Sequence, residues 1–577
     1  MPEGDVLRRD LVVAAIPGVQ RFVAESRRTG DLFASSQIMS QLARALVEAA
    51  AGAELVLPGP GDVDSGIPNR VVALTSPGGG IELARRMREA VEARWEKFRA
   101  AANALESPGF PMVQWVVIPP LPGGYEEQWG RAQELLAERK RSRNFVFAPL
   151  PQERICSLTG RWPAARVPAD ARRVKPGEFL SGIGLIKRQR ARGARFPSTW
   201  SIASAPYRGD VISLAQSRPE CREAIGDLCA AVQLLEEFFD GEERAELRRG
   251  GGALPGLRPS SDEVVDWLRE VEGAWCVPGT WEPESLRREY GLAARPGREI
   301  CEPGREAAST LRSLMKAEAG AASLTPYLAV LAQDADQLGR TLGDSSRSAG
   351  PFRDWHGRVS GALAEAGRAQ RAVIESADCL GRVVYAGGDD VLALLPAATA
   401  LRAAQRSAAA FRDALSGAVG GETPTVSTAL VFFHASSPLQ SAVSRAQLLL
   451  KEAKACMRPG LAVAVHHRGG ERARWVSAWS DGEVALLAHL ETLVTAMTGE
   501  GTLSARLAIG VERDADALAA LSPRWLRREL ARRAVRHGLP EEAGAALYAL
   551  SVPRGDHIEI PVDALLVARF LAAEGGR

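Results

Sequence analysis

Cysteine is scarce, with seven in 577 residues. So few cannot staple a chain of this length, which excludes a disulfide scaffold and points to a reducing compartment. No stretch approaches the ~20 consecutive apolar residues of a membrane-spanning helix. Met1-Pro2-Glu3-Gly4-Asp5 places acids ahead of the first apolar run, so the basic opening of a signal peptide is missing and the expected location is the cytoplasm. Net charge is nearly absent: 72 Lys and Arg against 70 Asp and Glu leave a formal +2. That balance excludes a generally basic nucleic-acid coat and an acidic tail, while leaving room for a local basic groove. Lysine is rare as well, seven against 65 arginines, a bias that a GC-rich genome explains more simply than selection for phosphate binding. What the chain does have is 46% hydrophobic residues, enough for sizeable cores, and a length that at ~150 residues per domain suggests about four domains.

The first segment reads as alternating strands and helices. An apolar run from Leu11 to Ile16 precedes Pro17-Gly18 and helical spacing from Leu32 to Ala50. Strands at Glu54–Leu57, Val71–Leu74 and Trp115–Ile118 flank a long helix at Ile81–Ala104, a pattern that suggests an α/β sandwich. The pattern then breaks into Arg-, Pro- and Gly-rich sequence from about Ala137 to Phe196, expected to be an insertion built mostly of loops. Residues 210–322 read as a helical domain, and the Arg-rich tail from 471 to 577 as a second one.

The clearest architecture lies within 323–470. An apolar strand from Tyr327 to Gln333 ends in Asp334-Ala335-Asp336, and a helix follows over Trp355–Ser376. Val383–Ala386 and Val391–Leu395 form a hairpin around Gly387-Gly388-Asp389-Asp390. A helix, the strand Val426–His434, a helix over Leu439–Cys456 and a closing strand complete a βαββαβ order with additions. That is the ferredoxin-like, split βαβ arrangement. In such a sheet Asp334 comes beside the hairpin tip carrying Asp389 and Asp390, where Gly387 and Gly388 permit a tight turn and close approach of a phosphate. Converging carboxylates repel one another unless cations are bound, and hard oxygen ligands suit Mg²⁺ or Mn²⁺. Two such ions ~3.5–4 Å apart are the usual device for in-line nucleotidyl transfer. Lys451 and Lys454, a helical turn apart, are two of the seven lysines, and Lys454 is a candidate for the triphosphate. A good hairpin turn alone would also use Gly and Asp; the acidic strand end upstream in the right topology favours the site.

These motifs resemble the large palm-domain subunit of type III-B CRISPR effector complexes, the Cmr group. Val383-Val384-Tyr385-Ala386-Gly387-Gly388-Asp389-Asp390-Val391-Leu392-Ala393-Leu394-Leu395-Pro396 is similar to the family's signature, and Asp334-Ala335-Asp336-Gln337-Leu338-Gly339 to its upstream acidic motif. Gly18-Val19-Gln20, Arg28-Thr29-Gly30-Asp31-Leu32, Ile67-Pro68-Asn69-Arg70, Phe196-Pro197-Ser198-Thr199 and Ala453-Lys454 agree as well, so the resemblance extends along most of the chain. It implies an α+β protein of two ferredoxin-like palm domains plus helical domains: a first palm over 1–209, including the insertion at about 137–196, and a second over 323–470. It also implies conversion of ATP to cyclic oligoadenylate when the complex binds target RNA. Asp334, Asp389 and Asp390 would then hold two Mg²⁺ or Mn²⁺ ions with Asp336 in support. Gly387, Gly388 and Lys454 would meet the nucleotide, and Ser36 and Ser40 on the first palm would face the acceptor. The implied partners are the other Cmr subunits, the guide RNA and its complementary target.

Two departures carry expectations. None of the seven His is followed by Asp, and the chain opens at the first palm, so the histidine-aspartate nuclease of many relatives is not expected. Relatives also carry a zinc ribbon with paired C-x-x-C. Here Cys156 stands without its mate, Ser181 and Gly184 occupy the second pair's place, and Cys221 and Cys229 read as core, so no zinc is expected. The basic runs Arg139–Arg143 and Lys187–Arg195 read equally as RNA contacts or as solvated surface. Three alternatives stay open: a GTP-using cyclase, a silent scaffold that anchors guide RNA, and a cyclase joining ATP to another acceptor.

Overall fold

The computed structural model describes residues 9–59, 69–104, 110–141, 154–160, 162–165, 177–191, 195–238, 252–290, 296–481, 484–498, 501–554 and 557–575. Two sheets organise it. The first contains β1 (Asp10–Ala15), β2 (Glu54–Leu57), β3 (Arg70–Thr75) and β4 (Gln114–Ile118) in the order β2-β3-β1-β4, with every pair antiparallel. With helices Thr29–Ala49 and Gly80–Ala101 between its strands, it has ferredoxin-like topology. Alternation does the sorting: Val12 and Ala14 face those helices, whereas Leu11 and Val13 face helix Gly124–Arg141 through Trp129 and Leu136.

The second sheet contains β5 (Tyr327–Ala335), β6 (Arg382–Ala386), β7 (Asp390–Pro396), β8 (Val426–His434), β9 (Gly460–His467) and β10 (Gly470–Ala478), ordered β10-β9-β8-β5-β7-β6. Strands β5 to β8 repeat the ferredoxin-like order, and helix Leu439–Cys456 crosses over to place β9 parallel to β8. Strand β10 pairs antiparallel with β9, so the sheet runs past residue 470, beyond the start of the tail expected from the sequence.

The second sheet is covered on both faces. Ala329, Leu331, Ala393 and Val463 face the helix Ala400–Leu415 and the C-terminal helices from Leu486 onward, in one continuous core. Leu328, Val330, Leu392 and Val431 face helix Leu439–Cys456 together with Val23, Leu32 and Phe196 from the first palm. Between the palms, helices from Ala205 to Ala317 enclose a separate core around Trp275, Trp281 and Leu311, in which Cys221 is buried. Among the described residues no helix is long and apolar enough to cross a membrane.

Within the insertion the described residues include a helix, Gly182–Arg190, capped by the Ser181 hydroxyl, which accepts from the Gly184 N–H. The basic run needs correcting at its first two cations, which are neither RNA-facing nor solvated, while Arg190 of the same helix is partly exposed. Lys187 is buried, donating to the Phe22 carbonyl and, at 2.7 Å, to the Glu25 carbonyl. Arg188 is buried between Asp31 at 2.9 and 3.0 Å and Glu178 at 3.1 Å. Ser142 and Arg143 of the first basic run, and residues 192–194 of the second, lie outside the described residues. In the tail, Leu526 and Leu530 are buried, while Val535 is 57% exposed because its side of helix Pro523–Arg536 faces away from the core.

Candidate active site

Strand register brings the acidic motifs together. Asp334 near the end of β5 is the direct antiparallel partner of Asp390, the first residue of β7. Directly opposed residues project from the same sheet face. That face is the one turned toward helix Leu439–Cys456 and the first palm, because Leu328, Val330, Leu392 and Leu394 share its parity. The Ala335 N–H donates to the Asp389 carbonyl at 2.8 Å, and the Gly387 N–H to the Asp390 carbonyl at 2.9 Å, which fixes a two-residue turn at Gly388-Asp389. Gly388 has φ +94°, and a Cβ there would lie 3.0 Å from the Leu363 carbonyl oxygen. Helix Phe352–Ile374 in turn approaches the hairpin at Gly367, where a Cβ would meet the Ala386 carbonyl oxygen at 3.2 Å. Gly388 is therefore required by the backbone itself.

The hairpin carboxyls carry their charge at a cost. Burial and the neighbouring Asp389 push the Asp390 carboxyl up to about 8, against the hydrogen bonds of Tyr385 and Gln20. Asp389 at the tip is open to solvent, yet protein is dense around the cleft; burial raises its carboxyl, opposed by backbone N–H groups and the charge of Arg70. Gln20 and Arg70 both belong to the first palm, so the two palms meet across this carboxylate pair. Burial and the two Asp charges also hold the Tyr385 phenol well above its usual range.

Lys454 supplies the nearest positive charge on the second palm. Its ammonium contacts the Asp334 carboxylate, donates to the Ala335 carbonyl at 2.9 Å and lies 3.9 Å from Asp336 Oδ1. Burial and Arg458 push it down to about 8, while the two carboxylates favour the charged form, so at neutral pH it is an ammonium. Asp336 is buried and turned toward β8. Its Oδ1 accepts from Ser427 at 2.8 Å and its Oδ2 from Thr425 at 2.9 Å, and burial raises its carboxyl despite these bonds. Asp334, Asp389 and Asp390 are therefore the carboxylates left for the cleft. Lys451 is exposed.

The serines of the first palm lie on helix Thr29–Ala49 at spacings of three and seven from Phe33, which packs on Phe196 and beneath Arg382. Ser36 is buried and Ser40 exposed, and among the described residues no recorded contact joins either to the carboxylates.

The donor set suits a hard divalent cation. Two adjacent carboxyls with raised proton affinity gain most from a nearby positive charge, and the ammonium of Lys454 already occupies that role beside Asp334. Among the described residues no three acidic, histidine or cysteine side chains close on one point. Mg²⁺ takes one or two carboxylates and completes its shell with water and substrate phosphates, so an open-sided set is what it uses. Sequence reasoning places Gln20 and Arg70 within family motifs but assigns them no part here. Their signal is position, since Gln20 follows β1 and Arg70 opens β3, the two central strands of the first sheet.

Residues 327–462 match the family model described as Cas10/Cmr2, second palm domain. Residues 11–59 match the model for the CRISPR-associated protein Cmr2, N-terminal. Among solved structures, the chain is similar to the type III-B Cmr-beta complex bound to cognate target RNA, with 15% identity over 99% of this chain and 83% of that one and a TM-score of 0.62. The apo state of Cmr-beta gives 13% identity, 99% and 82% coverage, and a TM-score of 0.61. At these identities the likeness is one of fold. No curated protein matches the chain. The two family segments, in this order and within this fold, bear out the resemblance to the large palm-domain subunit of type III-B effector complexes.

Proposed function

We propose that this chain is the signalling subunit of an RNA-guided type III-B effector complex and makes cyclic oligoadenylate from ATP when target RNA is bound. The observation that supports this most is the juxtaposition of Asp334 with Asp390 in register, beside Asp389 on the hairpin, on the sheet face that meets the first palm. Asp334, Asp389 and Asp390 would hold two Mg²⁺ or Mn²⁺ ions. When bound, such ions lower the proton affinity of a ribose 3′-hydroxyl and neutralise a departing pyrophosphate.

The chain's own residues do the rest. Asp336 is anchored by Thr425 and Ser427 and keeps Lys454 at the end of β5, where its ammonium can pass from Asp334 to a phosphate oxygen. Gly387 and Gly388 would place no side chain between the hairpin turn and the polyphosphate. Gln20 holds the Asp390 carboxyl from the opposite palm, so the reacting centre is complete only while the palms are docked. Ser36 and Ser40 lie on the first palm, where a second nucleotide would enter as acceptor.

The partners proposed are the remaining Cmr subunits, a guide RNA and its complementary target. The Cmr-beta structures to which the chain is similar include one with cognate target RNA. The reading is tested with the complex purified with its guide, given ATP and a divalent ion, with and without complementary RNA, and with products identified by mass spectrometry. Oligoadenylate formed only with target is the expected result. A complex that binds target but leaves ATP unchanged under every condition, even with cell extract supplying another acceptor, would make the chain a scaffold.

A further inference from the structure

Behind the acidic end of β5, on the sheet face opposite Asp334, lies a buried polar network. Gln333 precedes Asp334 in the strand and so projects the other way. Its Nε2 donates to the Ala404 carbonyl at 2.9 Å and to the Thr428 hydroxyl at 3.0 Å. Its Oε1 accepts from the Ser407 hydroxyl at 2.7 Å and from Gln370 Nε2 at 3.4 Å. A carbonyl can only accept, so Ala404 fixes which way the Gln333 amide points, and all its hydrogen-bonding positions are used. Gln370 also reaches the Ser407 hydroxyl at 3.3 Å, and Thr428 is the direct partner of Gln333 on β8. The four side chains are each at most 1% exposed. Strands β5 and β8 and the helices Phe352–Ile374 and Ala400–Leu415 therefore converge on one amide.

Apolar side chains would fill this space without the desolvation that four polar ones require. What hydrogen bonds add is direction: apolar packing lets a helix slide on a sheet, whereas a saturated network fixes its place. The helix that Gln370 fixes is the one that backs the hairpin. Leu363, Gly367 and Gln370 are four and three residues apart and share a helix face. A Cβ on Gly388 would lie 3.0 Å from the Leu363 carbonyl oxygen, and one on Gly367 would lie 3.2 Å from the Ala386 carbonyl oxygen and 3.4 Å from the Gly388 nitrogen. Helix and turn are thus in contact with no slack between them. The turn itself stands beyond the strands, since β6 ends at Ala386 and β7 begins at Asp390. Its place is set by this helix and by the two backbone bonds that close it, from Ala335 to Asp389 and from Gly387 to Asp390. A continuous chain of contacts therefore runs from Asp334 through Gln333, Gln370 and the helix to Asp389 and Asp390.

We propose that Gln333, Gln370, Ser407 and Thr428 are positioning residues for the carboxylate site: by fixing helix Phe352–Ile374 on the sheet, they set how far the hairpin carboxylates stand from Asp334. The inference rests on the reading of Asp334, Asp389 and Asp390 as a divalent-cation site and adds what holds the two strands' carboxylates at the spacing a cation needs. A metal site depends on the groups that orient its ligands as well as on the ligands themselves. None of the four touches a carboxylate, so their effect passes through the helix and the turn.

The test compares the wild-type full chain with Ser407→Ala and with a fourfold variant that combines Gln333→Met, Gln370→Met, Ser407→Ala and Thr428→Val. Replacing a whole buried network by apolar groups of similar size is close to neutral for stability. A thermal midpoint near that of the wild type is therefore expected, and a merely structural role predicts no further change. The positioning role predicts faster hydrogen exchange over 385–390 than over β8. It also predicts that Mn²⁺, followed by the paramagnetic resonance of the free ion, binds the fourfold variant about tenfold more weakly or worse, and Ser407→Ala severalfold more weakly. Hairpin exchange and Mn²⁺ affinity equal to wild type in a folded fourfold variant would overturn the proposal. Should that variant not fold, the same two readings on Ser407→Ala decide. The two readings fail separately. Mn²⁺ binding that depends on the network, in a complex that never consumes ATP, keeps the positioning role and removes the cyclase. ATP turnover whose Mn²⁺ requirement is the same in wild type and variants keeps the cyclase and removes the positioning role.

Discussion

At the scale of single residues, Gly388 shows how backbone and chemistry constrain one position together. Its φ of +94° is a conformation that side chains seldom adopt, and the Leu363 carbonyl oxygen leaves no room for a Cβ. Gly388→Ala is expected to destabilise the second palm by about 1–3 kcal/mol and to lower its thermal midpoint, with loss of activity following from a displaced hairpin. A midpoint equal to wild type would mean that the turn relaxes and that Gly388 is there for the nucleotide alone. The carboxylates beside it are legible in the sequence because Asp334-Ala335-Asp336 ends an apolar strand and Gly-Gly-Asp-Asp closes a hairpin, so topology alone places them side by side. Arg70 and Gln20 are not assignable in the same way. They reach the site through docking of one palm on the other, and no periodicity in a single sequence records that docking.

Elements show the same division. Apart from β10, the strands of both sheets can be read to within a residue or two from apolar runs and the turn residues between them, since each is buried on at least one face. Helix Gly182–Arg190 escapes such a reading because a short Gly-containing segment within an Arg-rich stretch has little helical signal of its own. Tertiary bonds hold it. Arg188 lies between Asp31, on the first turn of helix Thr29–Ala49, and Glu178, with all three side chains at most 6% exposed. Removing one member of a buried charge cluster leaves the others unpaired and costs about 3–5 kcal/mol. Arg188→Met is therefore expected to loosen this helix from the first palm, seen as faster hydrogen exchange over 182–190 and 29–35 than elsewhere. Uniform exchange across both segments would show that the apolar contacts of Ile183 and Ile186 suffice.

Strand β10 illustrates a third case. Its alternating pattern follows a short turn, yet the sequence assigns it to a helical tail because the Arg-rich stretch beyond it dominates. The structure adds it to the sheet edge, where Trp475 joins the core shared with the C-terminal helices.

For the whole molecule, the interface between the palms is the central feature, and one buried histidine reports on it. His356 of the second palm donates from Nε2 to the Leu342 carbonyl and accepts at Nδ1 from the Tyr125 hydroxyl of the first palm, both at 2.8 Å. Trp129 lies against it at 4.0 Å between ring centroids, and burial with the nearby charge of Arg70 pushes the imidazole down to about 4. The neutral ring is therefore the folded form. Its contribution is complete above the ordinary value near 6.5 and is lost as pH falls from there toward 4, about 3 kcal/mol across the window. Chemical unfolding at pH 7.5 and pH 5 should show about 2 kcal/mol of that loss in wild type and a flatter response in His356→Asn. Identical pH slopes in the two would remove His356 from the interface account. The same docking brings Gln20 and Arg70 to the hairpin, so whatever separates the palms should also silence the site.

The measurement that bears most directly on this account uses the complex assembled with guide RNA and complementary target, in wild-type form and with Asp389→Ala and Asp390→Ala combined. Mass spectrometry after incubation with ATP and Mg²⁺ or Mn²⁺ should find cyclic oligoadenylate in the wild type with target, none without target, and none in the double variant that still binds RNA. Oligoadenylate from the double variant at the wild-type rate would contradict the account, because it would place the chemistry outside the carboxylate pair on which the site is built.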